Sequence, residues 1–508
     1  MRNLVVASLG LLSSACMGPN PWLIADETGT DSTGDGDGDG DGDGDGDGET
    51  GDGDGDGDGD TGDGDGEDDG DSCNNGRQDQ DETDLDCGGS CDPCEPGASC
   101  QGEGDCSSGV CEANQCAEPS CEDDVRNGSE LEVDCGGSCR FCEHSAFVVE
   151  FDDFEATNAV MPGVGMYEDG SFAILYVGFE AEDYRVRWFD EFADPLGAGV
   201  PLSTEITDPT IGSHALVVGE LASHRAYAAH SGLDMNSTTR DVFVVERGPE
   251  SPAKHWPIFA GSDQVSHADL VIDGTVSTFV WERNKQSYLR RRDFTVGDNE
   301  FIDNQPFAIE PNVFDAIEPT LARGNGLTVV AWVRCPVGQF TGCTIALRRF
   351  EDLWLDLDPV TLGSIAPEPD LPQVAVADDG RIALTFYDKA GDDVWAAMFD
   401  ADLQLEGEAW RLQNDLPLFG FNTSGDVVAL ADGSFAFAWP DTIDQRVHVR
   451  RFVGPNMALV TDVGDEAPWP TTTDPFWVRL ATADNRVAVI WSARFDEVFQ
   501  IQGQVLSY

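Results

Sequence analysis

The sequence predicts an all-β domain over residues 145–508, in which seven four-stranded antiparallel sheets close into a ring behind an acidic linker and a cysteine-rich region. The first observation is Asp432-Gly433-Ser434-Phe435-Ala436-Phe437-Ala438-Trp439, where a tight turn feeds a strand that places Phe435, Phe437 and Trp439 on one face. Weaker copies run from Asp169-Gly170 to Tyr176, Asp273-Gly274 to Trp281, Asn325-Gly326 to Trp332, Asp379-Gly380 to Tyr387 and Asp484-Asn485 to Trp491, with a degenerate one ending at Tyr227. The second observation is the period. Tyr176 to Trp491 spans 315 residues over six intervals, 52.5 per repeat, and residues 145–508 number 364, seven times 52.

Each repeat holds further strand-like stretches. A short apolar one precedes the turn (Val374-Ala375-Val376; Val427 to Leu430), and a third follows the aromatic by about 13 residues (Val186 to Phe189; Ile345 to Phe350; Val447 to Phe452). A fourth is less regular, as in Gly199 to Leu202 and Ala409 to Leu412. Four short strands make one sheet, and a sheet with an aromatic face must bury it against another. The pattern resembles a seven-bladed β-propeller over the whole C-terminal region; a two-sheet sandwich would not sustain this period seven times. The last repeat ends one strand short, whereas Phe147 to Phe151 precedes the first with no place in it. That segment is expected to pair with residues 498–505 and close the ring, removing exposed edges.

Of 508 residues, 97 are acidic and 28 basic, for a formal charge of −69, and only Lys254, Lys285 and Lys389 are lysines. Nucleic acid is therefore excluded as a partner, because phosphate binding needs clustered cations. Arg2, the apolar run Leu4 to Leu12 and Ser13-Ser14-Ala15-Cys16 form an export signal. Its end resembles a bacterial lipoprotein signal, with Cys16 as the lipidated residue. Leu12 stands one position further from Cys16 than that pattern has it, and Ser13 with Ala15 also suits ordinary cleavage. Cys16 is the odd member of fifteen cysteines, which favours lipidation. The membrane is then touched through this lipid alone. The Gly-Asp alternation from Gly34 to Gly66 has nothing apolar to bury and is expected to be an extended tether; it lacks the glycine and flanking helices of a calcium-binding loop.

Cys73, Cys87, Cys91 and Cys94 are spaced by 13, 3 and 2 residues, and Cys121, Cys135, Cys139 and Cys142 repeat that spacing. Glu82-x-Asp84-x-Asp86-Cys87-Gly88-Gly89-Ser90-Cys91 matches Glu130-x-Glu132-x-Asp134-Cys135-Gly136-Gly137-Ser138-Cys139, and a different unit, Cys100, Cys106, Cys111 and Cys116, lies between them. The segments resemble the cysteine-rich repeats of exported lipoproteins of myxobacterial type, which implies an extracytoplasmic stalk and no catalytic activity. Four cysteines per unit would also suit zinc, but export and the scarcity of apolar residues favour disulfides, with connectivity open. The acids Glu82, Asp84 and Asp86 are expected to share a solvated strand edge. Cys335 and Cys343 sit in a connection about five residues longer than its equivalents, and a disulfide across that hairpin is the simplest account.

Seventeen to nineteen residues before the aromatics stand Asn158, Asp208, Asp263, Asp315, Asp370, Asn422 and Asp474, in loops that would gather at one mouth of the central channel. The plain explanation, favoured because Asx is common in turns, is side chains that set their own backbone. The sharper one is a ring of carboxylates, Asp208, Asp263, Asp315, Asp370 and Asp474, holding a cation such as calcium or a basic ligand. No other metal or cofactor is expected. Sialidase-type, tryptophan-aspartate and kelch signatures are missing, and His214, His224 and His230 lack zinc-ligand spacing. Carboxylate pairs for glycoside cleavage are open, since so many acids can meet in space. The sequence thus predicts a monomeric surface lipoprotein that displays a binding module for glycan or protein. An enzyme acting on extracellular polysaccharide, hydrolase or lyase, is the alternative, and a structural envelope component the third reading.

Overall fold

The structure is a computed structural model and describes residues 72–508 apart from 79–80, 150–158, 179–182, 203–205, 208–214, 219–223, 235–239, 263–264, 294–300, 304, 312, 351–357, 364, 414–424, 442–445, 454–457, 464–473 and 496–497. Cys16 and the Gly-Asp tract lie outside the described residues. Seven antiparallel sheets follow one another along the chain. Blade 3 is typical: Val265–Asp273, Val276–Arg283, Gln286–Asp293 and Phe307–Ala308 lie side by side in sequence order. Blade 2 departs from this because its innermost strand comes in two pieces, Ile206–Thr207 and Ala215–Val218, both paired with Ala226–Asp234. The described residues contain no helix beyond two short 3-10 turns, and none is long and apolar enough to cross a membrane.

Blade 7 closes the ring as the unpaired N-terminal segment required. Cys142–Val148 pairs with Val498–Ser507 as its fourth strand, with Phe147 opposite Gly503. The closing strand begins at Cys142, earlier than expected, so the last cysteine of the stalk is already part of the propeller. Residues 150 and 151, expected to belong to it, lie outside the described residues.

Seven buried apolar clusters fill the seven interfaces between neighbouring blades. The one between blades 7 and 1, for instance, joins Phe172, Ile174 and Tyr176 to Ala488, Ile490 and Ile501. Trp281, Trp332, Trp439 and Trp491 all face the preceding blade. Two of the repeat aromatics do not. In blade 5 the residue facing blade 4 is Phe386, and Tyr387 turns toward blade 6; in blade 2 Tyr227 turns toward blade 3. Successive strand residues point to opposite faces, so an alignment one residue off reverses the assignment. On the face carrying the Asp-Gly turns, arginines latch blade to blade: Arg323 to Asp273, Arg349 to Asp402, Arg381 to the Gly433 carbonyl and Arg486 to the Glu191 carbonyl.

All fourteen described cysteines are in disulfides, which suits an oxidising, extracytoplasmic compartment. Each stalk unit joins its first cysteine to its third and its second to its fourth: Cys73–Cys91 with Cys87–Cys94, Cys100–Cys111 with Cys106–Cys116, Cys121–Cys139 with Cys135–Cys142. The glycine pair is a close approach, since a Cβ on Gly89 would stand 1.9 Å from the Asp81 carbonyl oxygen and one on Gly137 2.0 Å from that of Ser129. The alternating acids do not form a solvated strand edge. Glu82 is buried, Asp84 accepts the N–H groups of Ser99 (2.6 Å) and Leu85 (2.7 Å), and Asp86 accepts those of Asn75 (2.8 Å) and Gly76 (2.9 Å). Carboxylates here satisfy loop donors that a domain without a core cannot pair within a sheet. The Ser99 and Leu85 bonds hold Asp84 below the usual carboxylate range.

Candidate functional site at the channel mouth

The innermost strands of blades 3, 4, 5 and 7 each carry a bulge near their start, where register slips between Ser266 and Asp269, Ile317 and Thr320, Asp370 and Gln373, and Phe476 and Arg479. At each bulge one residue adopts a left-handed backbone: His267 (φ 48°), Glu318 (53°), Leu371 (45°) and Trp477 (48°). None is glycine, so each site holds strain of about 1–2 kcal/mol. Two residues further on stand Asp269, Thr320, Gln373 and Arg479. Together, His267, Asp269, Glu318, Thr320, Gln373 and Arg479 line a small, partly open cavity of about 30 Å³ at the ring axis.

Three blades meet there in a continuous acid-base network. In blade 3, His267 Nδ1 is 3.1 Å from Glu282 Oε2. The same carboxylate oxygen accepts the Glu318 N–H of blade 4 at 3.1 Å, and Glu318 Oε2 accepts the Leu371 N–H of blade 5 at 2.8 Å. The Glu318 and Asp370 carboxyls are hydrogen-bonded to each other, and Lys389 Nζ lies 2.5 Å from Asp370 Oδ2. Further in, Asp269 Oδ2 accepts the Thr320 hydroxyl and the Leu321 N–H, both at 2.9 Å, and Asp426 Oδ2 accepts the Leu480 N–H at 2.8 Å. The Arg479 guanidinium acts electrostatically on both of these acids. Asp269 and Glu318 therefore bridge blades as well as line the cavity.

Burial and the neighbouring Glu318 charge push Asp370 up to about 8, against the pull of Lys389. Burial would raise Glu318 too, but the hydrogen bond from Asp370 and the charges of His267 and Lys389 hold it below the usual glutamate value. Burial pulls His267 down, and its bond to Glu282 with the charges of Glu318, Glu282 and Asp370 carries it above the ordinary histidine value. Burial raises Asp426 to about 6 although Arg479 opposes it. Near neutral pH the pair thus has its proton on Asp370 and its charge on Glu318. Two like groups whose environments drive their pKa values apart make an acid and a base.

The expected carboxylate ring maps differently onto the structure. Asp208, Asp263, Asn158 and Asn422 lie outside the described residues, and so does the side chain of Asp474, whose backbone pairs with Arg494. Asp315 and Asp370 are not equivalent: Asp315 stands three residues before the left-handed position of its blade and Asp370 one residue before. Asp315 Oδ2 accepts the Gly338 N–H at 2.9 Å in its own blade, and only Asp370 enters the network. The bulges are alike, but the hairpin between the first two strands is one residue longer in blade 5 than in blade 4 and Tyr387 stands one residue past Phe386, so counting back from the aromatic lands two residues apart on the two strands. The informative distance is fourteen residues before the tryptophan, where His267 precedes Trp281 and Glu318 precedes Trp332. Of the three neighbouring histidines, His224 packs edge-on to Tyr167 at 5.3 Å, while His214 and the His230 side chain lie outside the described residues.

No family model matches the chain, and no curated protein does. Among solved structures, it is similar to a puromycin hydrolase at 13% identity, covering 71% of this chain and 55% of that one with a TM-score of 0.46. It is also similar to a Penicillium chrysogenum α-L-arabinanase complexed with arabinobiose (9% identity, 72% and 98% coverage, TM-score 0.41). A third is an α-L-arabinofuranosidase from Fusarium graminearum (9% identity, 73% and 98% coverage, TM-score 0.42). The chain spans a little over half the length of the puromycin hydrolase. Likeness at this level leaves the chemistry to this chain's own residues.

Proposed function

We propose that this protein is an exported propeller enzyme, anchored at the cell surface through Cys16, that breaks extracellular polysaccharide at the channel mouth as a hydrolase or lyase. The observation that carries this reading is Glu318 in the wall of the cavity, tied to blade 5 through the Leu371 N–H, with Asp370 on Lys389 at the adjoining position. Glycoside hydrolysis by two separate carboxylates uses a spacing of roughly 5–9.5 Å, so this hydrogen-bonded pair acts as one acid-base unit. Glu318 takes a proton, from water in a hydrolase or from the carbon beside a sugar carboxylate in a lyase. Asp370 donates a hydrogen bond to the oxygen that gains charge, supported by Lys389. His267, fixed in orientation by Glu282, returns a proton to the leaving oxygen.

The test is product release by the full chain from neutral and acidic polysaccharides, scored as new reducing ends and as unsaturated ends. Glu318→Gln is expected to lower turnover by roughly 10²–10⁴-fold with the melting temperature preserved within a few degrees. A binding module for glycan or protein is the second reading, favoured by the exposed Val337 and Phe340 on the blade-4 hairpin. Retention of a polymer without any product, from the parent as from the variant, would decide for it.

A further inference from the structure

Phe340 is 69% exposed at the tip of the hairpin between Leu327–Pro336 and Thr344–Phe350, on the same face of the ring as the channel mouth. Single exposed apolar residues need no explanation, but this one is held in place. The Cys335–Cys343 disulfide closes the tip, the Gln339 N–H donates to the Pro336 carbonyl at 2.9 Å, and the Gly338 N–H donates to Asp315 Oδ2 at 2.9 Å. From the next blade, Lys285 Nζ lies 4.0 Å from the Phe340 ring centroid. An aromatic ring immobilised before any ligand arrives loses little entropy on binding.

Lys285 is as deliberately placed. Asn284 and Lys285 both have left-handed backbones (φ 48° and 62°), the tight turn that joins two strands of blade 3. That turn is bonded to the innermost strand of blade 4: the Ala316 N–H donates to the Lys285 carbonyl at 2.9 Å, and Gln286 Nε2 to the Phe314 carbonyl at 2.7 Å. The ammonium stands 3.9 Å from Asp315 Oδ2, beyond hydrogen-bond reach, and the side chain is 39% exposed. In a chain of 97 acids and three lysines, two lysines stand at this mouth, Lys285 at its rim and Lys389 on Asp370; the third, Lys254, lies 3.4 Å from Glu246 Oε1. Asp315 is three residues before Glu318 on one strand, which sets the platform roughly 10 Å from the acid-base pair, within the reach of a short oligosaccharide.

We infer that Phe340 and Lys285 form a sugar subsite, the ring stacking on the apolar face of a pyranose and the ammonium binding its carboxylate, so that the substrate of the channel mouth is a uronic-acid polysaccharide. The inference rests on the enzyme reading above and names its substrate class. A neutral glycan would find the same ring but offer Lys285 no charge beyond that of Asp315. In a molecule of this net charge, an anionic polymer is admitted only where local cations offset the repulsion.

The test is calorimetric titration of the full-chain Glu318→Gln variant with hexamers of galacturonate, guluronate and glucuronate, and with neutral cellohexaose. At least one uronate hexamer is expected to bind ten or more times tighter than cellohexaose. Adding Phe340→Ala should weaken that binding by roughly three- to tenfold, and Phe340→Trp should restore it. Lys285→Gln should weaken it by a similar factor at low salt, with the difference shrinking as salt rises. Equal affinity for cellohexaose, no binding of any hexamer, or Phe340→Ala and Lys285→Gln binding like the parent would each overturn the inference. Failure of the enzyme reading looks different: uronate binding with the expected variant effects, but no product from the parent. Conversely, turnover of a neutral polymer with KM unchanged in both rim variants keeps the enzyme and removes the subsite.

Discussion

Phe147 is the residue through which ring closure is most directly tested. It lies on the closing strand opposite Gly503, and its ring sits 5.4 Å from that of Phe172 and 5.3 Å from that of Phe189 in blade 1. One side chain therefore joins the fourth strand of blade 7 to the first blade. A Cβ added to Gly503 would stand 2.3 Å from Phe147 Cζ, so the ring lies over the glycine and fills the space a side chain would take. Truncating a fully buried Phe costs about 3–5 kcal/mol; Phe147 is only partly buried, which brings the expected cost of Phe147→Ala to about 2–3 kcal/mol. Gly503→Ala should cost about 1–3 kcal/mol by displacing the ring. In the double variant the ring that supplies the three atoms nearest the added methyl is gone. Gly503→Ala should then cost close to nothing, giving a coupling of at least about 1 kcal/mol. The assay is urea unfolding of the four proteins, with a common m-value as the check that denatured states are comparable. Additivity within about 0.5 kcal/mol, or a Phe147→Ala protein as stable as the parent, would refute the argument that this ring closes the propeller.

The raised pKa of Asp370 carries a signed expectation. A carboxyl at about 8 in the folded protein binds its proton more tightly than in the unfolded chain. Its stabilising effect is full below the unfolded value near 4 and is lost as pH rises through the folded value. Melting curves of Asp370→Asn against the parent should therefore shift in favour of the variant from about pH 4 to about pH 8; a pH-independent difference would contradict the assignment. Peptide mapping without reduction should return Cys73 with Cys91, Cys87 with Cys94 and Cys335 with Cys343, and a second map with other partners would remove the account of the stalk. Calcium is expected to leave the parent's melting temperature unchanged, because Asp315 is engaged by Gly338 N–H and Asp370 by Lys389. A rise that disappears in Asp370→Asn with Asp474→Asn would restore the cation ring.

What was legible in the sequence was whatever repeats. The spacing of Trp281, Trp332, Trp439 and Trp491, the Asp-Gly turns before them and the unplaced segment around Phe147 are local signals multiplied by the blade number, and they were enough for seven blades and for closure by the N-terminal strand. Tyr387 marks the limit of that method: a one-residue offset leaves the period almost unchanged and reverses the face, and only packing against blade 6 shows that Phe386 is the residue turned toward blade 4. Disulfide connectivity was likewise hidden, because three pairings share one spacing. The channel site was least legible. His267 and Glu318 adopt left-handed backbones without the glycine that would announce them, and their network spans three blades, with Glu282 in blade 3, Glu318 in blade 4, and Asp370 and Lys389 in blade 5. The sequence alone determined the number of blades and their closure, since each repeat carries its own turn and alternating strand. The site was decided by the tertiary structure, because a proton is placed by the charges and burial around it, and those neighbours meet only when the ring is closed.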